Sequence, residues 1–297
     1  MNKEVISQQN LDTNIMDNTQ DLTKISSQVR RDIIRMVTSA QSGHPGGSLS
    51  SADIMTALFF SHLKHSPKNW DRSGKDNDMF FLSAGHISPV FYSVLARSGY
   101  FPIKELATFR EFGSRLQGHP CIEKGLPGIY QASGSLGQGL SNASGAALAK
   151  KLDNDNNSVY ILMGDGESEE GQIWEAAMFA AHNKINNLVA ITDWNGQQID
   201  GTVDNVFGLG DLEAKWKAFG WNVIVANGHN MQEILAAFKA ANKLQKEQEK
   251  PVMILMNTVM GKDVDFMAGT CDWHGKAPSP ELAEKALAQL EETLGDY

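Results

Sequence analysis

Acidic side chains crowd a glycine turn in residues 164–171, which read GDGESEEG. The turn follows the apolar run SVYILM, which is typical of a buried strand, and precedes a segment with a helical pattern. Asp165 therefore stands at the end of a strand, with Glu167, Glu169 and Glu170 directly behind it. Such carboxylates either bind a cation or cap the following helix, because the helix dipole favours negative charge at its N-terminus.

A second oxygen-bearing side chain is expected at the same place. Asn195, in DWNGQQIDG, follows the next apolar run thirty residues after Asp165, which leaves room for one helix, two turns and one strand. Ligands gather outside the carboxyl ends of the strands in open α/β sheets, so both side chains should reach one edge. With a carbonyl from residues 196–198 they resemble half of a Mg²⁺ or Ca²⁺ shell, and Mg²⁺ completed by phosphate oxygens and water implies a diphosphate. A GDG turn alone is a short motif that chance also produces.

The elements that must position these residues follow an α/β pattern. Short runs rich in Val, Ile and Leu alternate with helix-like segments through the second half of the chain, as in βα units around a parallel sheet. The predicted strands are residues 158–163, 187–193, 222–227 and 252–257, and the predicted helices lie near 170–184, 211–219 and 230–246. We predict an α/β fold in which helices flank a parallel sheet.

Helical spacing also predicts helices in the first half, over residues 22–36 and 51–63, joined by a glycine-rich loop that carries His44. The run MFFLSAGH predicts a buried strand that leads into a helix from Pro89. The segment IKELATFREFG predicts a further helix closed by Gly113.

The chain is expected to form one domain. The last predicted helix begins at a Ser cap in SPELAEKALAQLEETLG and runs nearly to Tyr297. No repeat or linker divides the chain, so residues 21–297 are assigned to a single domain. The polar residues 1–20 are assigned to a disordered tail.

Composition excludes several classes of protein. With 297 residues, 41% of them hydrophobic, the chain can bury a sizeable core. A net charge of −9 and a pI near 5.4 argue against nucleic acid or an anionic membrane as the main partner. Cys121 and Cys271 lack metal or disulfide spacing, and neither a signal peptide nor an apolar run of membrane-spanning length is present. A soluble cytoplasmic protein is expected.

Seven segments, taken in order, resemble the N-terminal half of transketolases. A GDG turn followed by an Asn about thirty residues later resembles the thiamine diphosphate-binding motif in particular. The segments are SGHPGGSL (42–49), LSAGH (82–86), GSRLQGHP (113–120), SGSLGQGLSNASG (133–145), GDGESEEGQIWEA (164–176), DWNGQQIDG (193–201) and WHGKAP (273–278). The resemblance covers about residues 22–280 and implies the thiamine diphosphate-binding fold of the diphosphate-binding type.

The resemblance implies a cofactor and the residues that hold it. Mg²⁺, for which Ca²⁺ or Mn²⁺ can substitute, would be bound by Asp165, Asn195 and the main-chain carbonyl of Gln197. Thiamine diphosphate would contact residues of four motifs, namely His86, Gly134, Leu136, Gly164, Asp165, Gly166 and Asn195. An alternative explanation of the glycine-rich SGSLGQG is tight helix packing, since small residues follow it.

The resemblance also implies catalytic residues. His119 would contact the hydroxyls of the donor sugar, and His44 and His274 would serve substrate binding and proton transfer. Glu170 would hydrogen-bond a glutamate of a partner domain at a subunit interface, whereas Glu167 and Glu169 are interpreted as helix-start charges. A lone histidine is more often structural, so the argument depends on four of them lying in matching motifs.

The resemblance finally implies a missing half. In transketolases the glutamate that activates the cofactor comes from a pyrimidine-binding domain, and this chain ends at Tyr297 without one. The expectation is therefore the N-terminal subunit of a split transketolase, which forms a heterotetramer with two copies of a C-terminal subunit. It would move a two-carbon ketol unit from xylulose 5-phosphate to ribose 5-phosphate or erythrose 4-phosphate.

Several alternatives stay open from the sequence. The loop SGSLG departs from the Thr-Gly-Pro-Leu-Gly loop of many full-length transketolases. The segment GKDVDFMAGTCDWHGKAP resembles the split branch, in which some members act on unusual sugars. Another thiamine-dependent subunit is a second alternative, either similar to deoxyxylulose phosphate synthase or to the α-subunit of a 2-oxo acid dehydrogenase. A third is a catalytically inactive partner subunit, although that would be expected to have damaged ligands.

Overall fold

The computed structural model describes residues 18–297, in which a parallel sheet is covered by helices on both faces. Seven strands are formed, Met79–Leu82 (β1), Val159–Gly164 (β2), Leu188–Trp194 (β3), Gln197–Gln198 (β4), Gly201–Thr202 (β5), Asn222–Asn227 (β6) and Val252–Asn257 (β7). Ten α-helices accompany them, Thr19–Ser39 (α1), Pro45–Ser50 (α2), Ala52–Ala57 (α3), Ser88–Arg97 (α4), Gly139–Leu152 (α5), Gly171–His182 (α6), Val203–Phe207 (α7), Leu212–Ala218 (α8), Met231–Glu247 (α9) and Pro280–Gln289 (α10).

The main sheet has five parallel strands in the order β1-β2-β3-β7-β6. Alternate residues of β2 enter opposite cores: Tyr160 and Leu162 belong to the hydrophobic cluster on one face, and Ile161 and Met163 to the cluster on the other. Burial on both faces explains why the strand sequences are continuous apolar runs. The predicted α/β fold and the positions of its four later strands are confirmed.

All parallel strands of the sheet point the same way, so their carboxyl ends share one edge. The turn that contains Asp165 follows β2, and the turn that contains Asn195 follows β3, the neighbouring strand in the sheet. A short antiparallel pair, β4 and β5, continues from that second turn. We call this edge, with the loops that cover it, the carboxyl edge.

Three predicted helices differ from the structure, two in the first half of the chain and one at its C-terminal end. The helix predicted over 51–63 is α3 continued by one π-helical turn, Leu58–His62. The helix predicted in IKELATFREFG is wrong, because only the 3₁₀ segment Ile103–Thr108 forms. Arg110 takes a positive φ of 60° and donates its N–H to the Leu116 carbonyl, which turns the chain away from a helical path.

The C-terminal helix is shorter than predicted. It begins at the expected cap, Ser279, whose hydroxyl accepts the N–H of Leu282, but α10 ends at Gln289. The last residues instead return to α1, where Asp296 accepts hydrogen bonds from Arg31 and Gln28. Those polar contacts outcompete the weak gain of one further helical turn.

Helix α1 begins at Thr19 after the cap residue Asn18, so most of the tail predicted for residues 1–20 lies outside the described residues. The single domain predicted over 21–297 stays a prediction. Within residues 18–297, none of the helices is both long and apolar enough to cross a membrane.

Candidate functional site

Asp165 lies buried at the carboxyl edge, where it joins two strand ends. Its side chain is 2% exposed. One carboxylate oxygen accepts the N–H of Gly166 at 2.8 Å, and the other accepts the N–H of Gly196 at 2.6 Å. The second bond places the turn of Asn195 and Gln197 against Asp165, as the strand spacing predicts.

The oxygens gathered here suit a hard divalent cation. Within residues 18–297 no three His, Cys, Asp or Glu side chains form a metal-binding group. The predicted metal ligands include only one carboxylate, that of Asp165, together with the side-chain amide of Asn195 and the main-chain carbonyl of Gln197. Burial raises the pKa of Asp165 to about 7, and the charge of nearby Asp193 adds to the shift. A buried carboxylate without a cationic partner is the chemistry that a divalent cation would complete.

Asp193 is a second buried carboxylate at this edge, and the sequence motifs did not single it out. It is 3% exposed and accepts the hydroxyls of Ser50 at 2.5 Å and Ser51 at 3.1 Å. It also accepts the amide N–H of Asn195 at 3.1 Å and the hydroxyl of Thr258. Its hydrogen bonds thus connect three segments: the α2–α3 junction, the Asn195 turn and the end of β7.

The structure shows that Glu167 is not the helix-start charge that the sequence predicts. It is 3% exposed and belongs to a 3₁₀ turn before α6. It accepts hydrogen bonds from Ser83 Oγ, from the N–H of Gly137 at 2.8 Å and from the N–H of Gly164 at 3.2 Å. Burial raises its pKa. A solvated charge at a helix end would have none of these contacts.

Glu169 and Glu170 lie nearer the solvent. Glu169 accepts a hydrogen bond from Gln198 at 3.1 Å. Glu170 is exposed and occupies the cap position of α6 without a capping hydrogen bond from its side chain. The structure therefore leaves Glu170 accessible, and its predicted contact with a partner subunit stays a prediction.

Four histidines from distant segments meet beside this edge. His44 is in edge contact with His86, His119 and His274, with ring centroids 5.1, 6.3 and 5.7 Å apart. His86 stacks on His274 at 5.0 Å. We call these four residues the histidine cluster; they are all of the histidines that the sequence motifs selected.

The environment keeps the histidine cluster neutral at pH 7. Burial lowers the pKa of His44 to about 4, with further lowering by His274 and Arg110. Burial lowers the pKa of His86 to about 3, and that of His119 and His274 in the same direction. Neutral imidazoles both accept and donate protons, which suits them to hydroxyl recognition and proton transfer.

Unpartnered nitrogens separate this cluster from the structural histidines. Among residues 18–297, the Nδ1 atoms of His44 and His274 are buried and have no hydrogen-bond partner. His65, in contrast, bonds the Tyr100 hydroxyl and the Phe59 carbonyl, and both ring nitrogens of His229 are also bonded. Buried polar atoms are rarely left unpaired, so these two nitrogens are available to a ligand.

The glycine-rich loop lies between the cluster and the GDG turn. A Cβ placed on Gly134 would lie 3.5 Å from the His119 ring, and Gly137 takes a positive φ of 85° while its N–H reaches Glu167. Leu136 between them is 37% exposed, although it is a large apolar side chain. Gly166 faces Gln198, whose Oε1 would lie 3.0 Å from an added Cβ.

The motifs did not indicate a role for Asp193, and they predicted the wrong role for Glu167. A local signal existed for each, since Asp193 closes an otherwise apolar strand and Glu167 directly follows the GDG turn. Their functional setting depends on partners far along the chain. Arg110 was also missed; its guanidinium donates to Ser42 Oγ at 2.7 Å and its charge acts on His44 and His119.

Residues 22–296 match the family described as "Transketolase, thiamine diphosphate binding domain". The chain is 42% identical to the 6-deoxy-6-sulfo-D-fructose transketolase subunit SqwG of Clostridium sp. (strain MSTE9), over 91% of this chain and 96% of that protein. It is 38% identical to an apulose-4-phosphate transketolase subunit of Phocaeicola vulgatus, over 91% of this chain and 93% of that protein.

Longer proteins match over part of their length. The transketolase of Homo sapiens is 35% identical over 91% of this chain but only 42% of its own. The crystal structure of the transketolase from Campylobacter jejuni superposes with a TM-score of 0.84 at 36% identity, over 92% of this chain and 43% of that one. The chain thus spans less than half the length of these longer proteins.

Proposed function

The chain belongs to the transketolase family, as its thiamine diphosphate-binding domain, and we propose that it is the N-terminal subunit of a split transketolase. The coverage of its relatives supports this proposal. The chain spans 96% and 93% of two relatives named as subunits, but 42% of the human enzyme. A C-terminal subunit with the pyrimidine-binding domain would complete it, in the proposed heterotetramer of two chains of each kind.

The observation that carries the proposal is the histidine cluster, with unpartnered Nδ1 atoms on His44 and His274, beside buried carboxylates that have no cation. A cluster of neutral imidazoles suits a substrate rich in hydroxyls. The carboxylate edge suits a metal ion that binds a diphosphate. A ketose and thiamine diphosphate are ligands of these two kinds.

Roles are proposed for the residues of this chain. Asp165, Asn195 and the Gln197 carbonyl would hold Mg²⁺, and Gly164, Gly166 and His86 would contact the diphosphate. Gly134 and Leu136 would lie against the rings. Thiamine diphosphate, when bound, supplies the nucleophilic carbon that cleaves a ketose C–C bond and accepts its electron pair.

The histidine cluster would act on the substrate. His119 would bind donor hydroxyls, and His44 and His274 would move a proton between their ring nitrogens and the sugar oxygens, because low pKa values keep them unprotonated. Glu170, exposed at the start of α6, would hydrogen-bond a glutamate of the partner subunit.

Exposed apolar side chains support a partner. Met178 and Phe179 on α6 are 54% and 45% exposed, and Ile199 and Phe207 beyond β3 are 64% and 67% exposed. These elements follow the two strands that present the proposed metal ligands. Large exposed hydrophobic residues are typical of surfaces that are covered in an assembly.

The proposed reaction is transfer of a two-carbon ketol unit between sugar phosphates, with xylulose 5-phosphate as donor and ribose 5-phosphate or erythrose 4-phosphate as acceptor. A 6-deoxy-6-sulfofructose or apulose 4-phosphate donor is the second candidate, because two relatives that this chain matches over 96% and 93% of their own length are named for those sugars.

The test combines the purified chain with the proposed C-terminal subunit, thiamine diphosphate and Mg²⁺, and follows ketol transfer from each donor to ribose 5-phosphate. We expect activity only when the two subunits are combined. Asp165→Ala should lose both cofactor binding and activity. Activity of the isolated chain would contradict the split architecture. Transfer from only the sulfonated or branched sugar would replace the first substrate with the second.

A further inference from the structure

Glu167 connects three separate segments of the site through one buried carboxylate. Its Oε1 accepts Ser83 Oγ and the N–H of Gly137, and its Oε2 accepts the N–H of Gly164. Ser83 is 84 positions away in sequence and Gly137 is 30 positions away. No other side chain among residues 18–297 forms hydrogen bonds to all three segments.

Each of these segments carries residues of the proposed site. Ser83 follows β1 and stands three residues before His86. Gly137 follows Gly134 and Leu136 in the glycine-rich loop, and Gly164 directly precedes Asp165. The position of Glu167 therefore determines how the diphosphate side, the ring side and one member of the histidine cluster are arranged.

The segments are in direct contact and leave no space for an added side-chain atom at their glycines. A Cβ placed on Gly85 would lie 2.5 Å from Ser133 Oγ, and one placed on Gly139 would clash with Ser83 Oγ. Where backbones touch at glycines, few side chains fix the relative position of the segments. A carboxylate that accepts one hydrogen bond from each segment fixes that position instead.

The donors require an acceptor with two oxygens. All three donate a proton, two from backbone N–H groups and one from a hydroxyl. A Gln side chain has the same size but presents an NH₂ group in place of one oxygen, so one donor of the three would face another donor. The buried mismatch would loosen at least one segment.

We propose that Glu167 is a positioning residue that holds the His86 segment, the 133–138 loop and the GDG turn in the arrangement that binds thiamine diphosphate. The inference rests on the proposed function for the identity of the cofactor. The coupling of the three segments does not depend on that identity.

The test compares Glu167→Gln with Glu169→Gln in the full chain. Glu169 is the matched control, because it lies two residues away, loses the same charge and has one hydrogen bond, to Gln198. Hydrogen exchange of the chain without cofactor measures the coupling. We expect amides of the 133–138 loop to exchange at least tenfold faster in Glu167→Gln than in the wild type or Glu169→Gln.

Cofactor binding is measured with the chain and its partner subunit, by calorimetry with thiamine diphosphate and Mg²⁺. Glu167→Gln should bind at least tenfold more weakly, since a lost hydrogen bond to a charged group has about this effect, and Glu169→Gln should bind within about twofold of wild type. The thermal midpoint is recorded in parallel. A purely structural role would lower the midpoint and leave the dissociation constant of the folded fraction unchanged.

The outcomes separate this inference from the proposed function. Unchanged exchange in the 133–138 loop of Glu167→Gln overturns the inference, whatever the cofactor does. Faster exchange together with an unchanged dissociation constant also overturns it. If the wild-type complex binds no thiamine diphosphate, the proposed function fails, and the exchange comparison still decides whether Glu167 couples the segments.

Discussion

Buried carboxylates in two regions of this protein, beside α1 and at the carboxyl edge, balance their charge differently. Beside α1, the buried Asp32 and Asp53 and the half-buried Asp296 each have an arginine. Asp32 accepts hydrogen bonds from Arg97, Asp53 accepts two from Arg30 at 3.0 and 2.7 Å, and Asp296 accepts two from Arg31. The hydrogen bond from Arg31 lowers the pKa of Asp296 to about 2.

At the carboxyl edge, the buried carboxylates have only neutral donors. Asp165, Glu167 and Asp193 accept hydrogen bonds from hydroxyl, amide and backbone N–H groups, and none forms an ion pair with another residue among 18–297. Burial raises the pKa of all three.

The difference supports the proposal that the acids at the carboxyl edge serve a site. A chain that only needed stability would pair these acids with arginines, as it does beside α1, or replace them with apolar residues. Functional sites commonly break such local rules, and the loss of stability is balanced elsewhere. The contrast therefore favours the proposed binding of a cation at the carboxyl edge.

The largest effect is expected from breaking a pair beside α1. Arg97→Met should lower the free energy of unfolding by about 3–5 kcal/mol, because it leaves the fully buried carboxylate of Asp32 without its cation. Urea titration measures the loss. The partly exposed pair of Arg115 and Glu105 is the control, and Arg115→Met should cost about 1 kcal/mol. Equal costs for both variants would show that the α1 region does not depend on its buried pairs.

The second largest effect is expected when the pH is lowered, because the two regions should lose stability at different pH values. The pKa of His86 is lowered by burial to about 3, so between about pH 6.5 and pH 3 the unfolded state binds the extra proton and stability falls as pH falls. The slope is about 1.4 kcal/mol per pH unit for one group. The pKa of Asp296 is also lowered, but its contribution is lost only as pH falls below about 3.8 towards 2.

Unfolding measured from pH 7 to pH 4.5 tests this order. His86→Asn should remove part of the acid sensitivity, and Asp296→Asn should lower stability by a similar amount across that whole range. The raised pKa of Asp165 acts in the opposite direction on the wild-type curve, so the comparison with the variant decides: equal acid sensitivity of His86→Asn and wild type would contradict the neutral state assigned to His86.

Much of this arrangement was predictable from the sequence. Runs of Val, Ile and Leu locate the strands, because a parallel sheet buried on both faces needs them. The spacing of Asp165 and Asn195 follows from one βα unit, and the ordered motifs bring His44 and His274 into one group. These features depend on local pattern or on whole segments.

The failures share one physical cause. The burial of Glu167 depends on Ser83, and that of Asp193 on Ser50, 143 positions away, so no local pattern shows either contact. The false helix around Arg110 has a related origin, since a backbone hydrogen bond to Leu116, six residues further on, overrides helical spacing. Hydrogen bonds to specific partners decided what local propensity could not.

The smallest expected effect has the opposite sign, and it comes from neutralising the carboxyl edge. In the chain without metal or cofactor, Asp165→Asn should raise the free energy of unfolding by about 1 kcal/mol at pH 8, because it removes a buried charge that has no cation. The gain is partial, since an amide has one oxygen for the two N–H groups of Gly166 and Gly196.

The pH dependence gives this last prediction its sign. The folded pKa of Asp165, about 7, lies above its unfolded value, so the acid contributes stability at low pH that is lost as pH rises from about 4 to about 7. The advantage of Asp165→Asn should therefore grow over that range and stay constant above it, as measured by urea titration of both proteins at each pH. A variant less stable than wild type by more than about 1 kcal/mol at pH 8 would show that Gly166 and Gly196 alone satisfy the carboxylate. The carboxyl edge would then be as well balanced as the region beside α1, and it would not require an external cation.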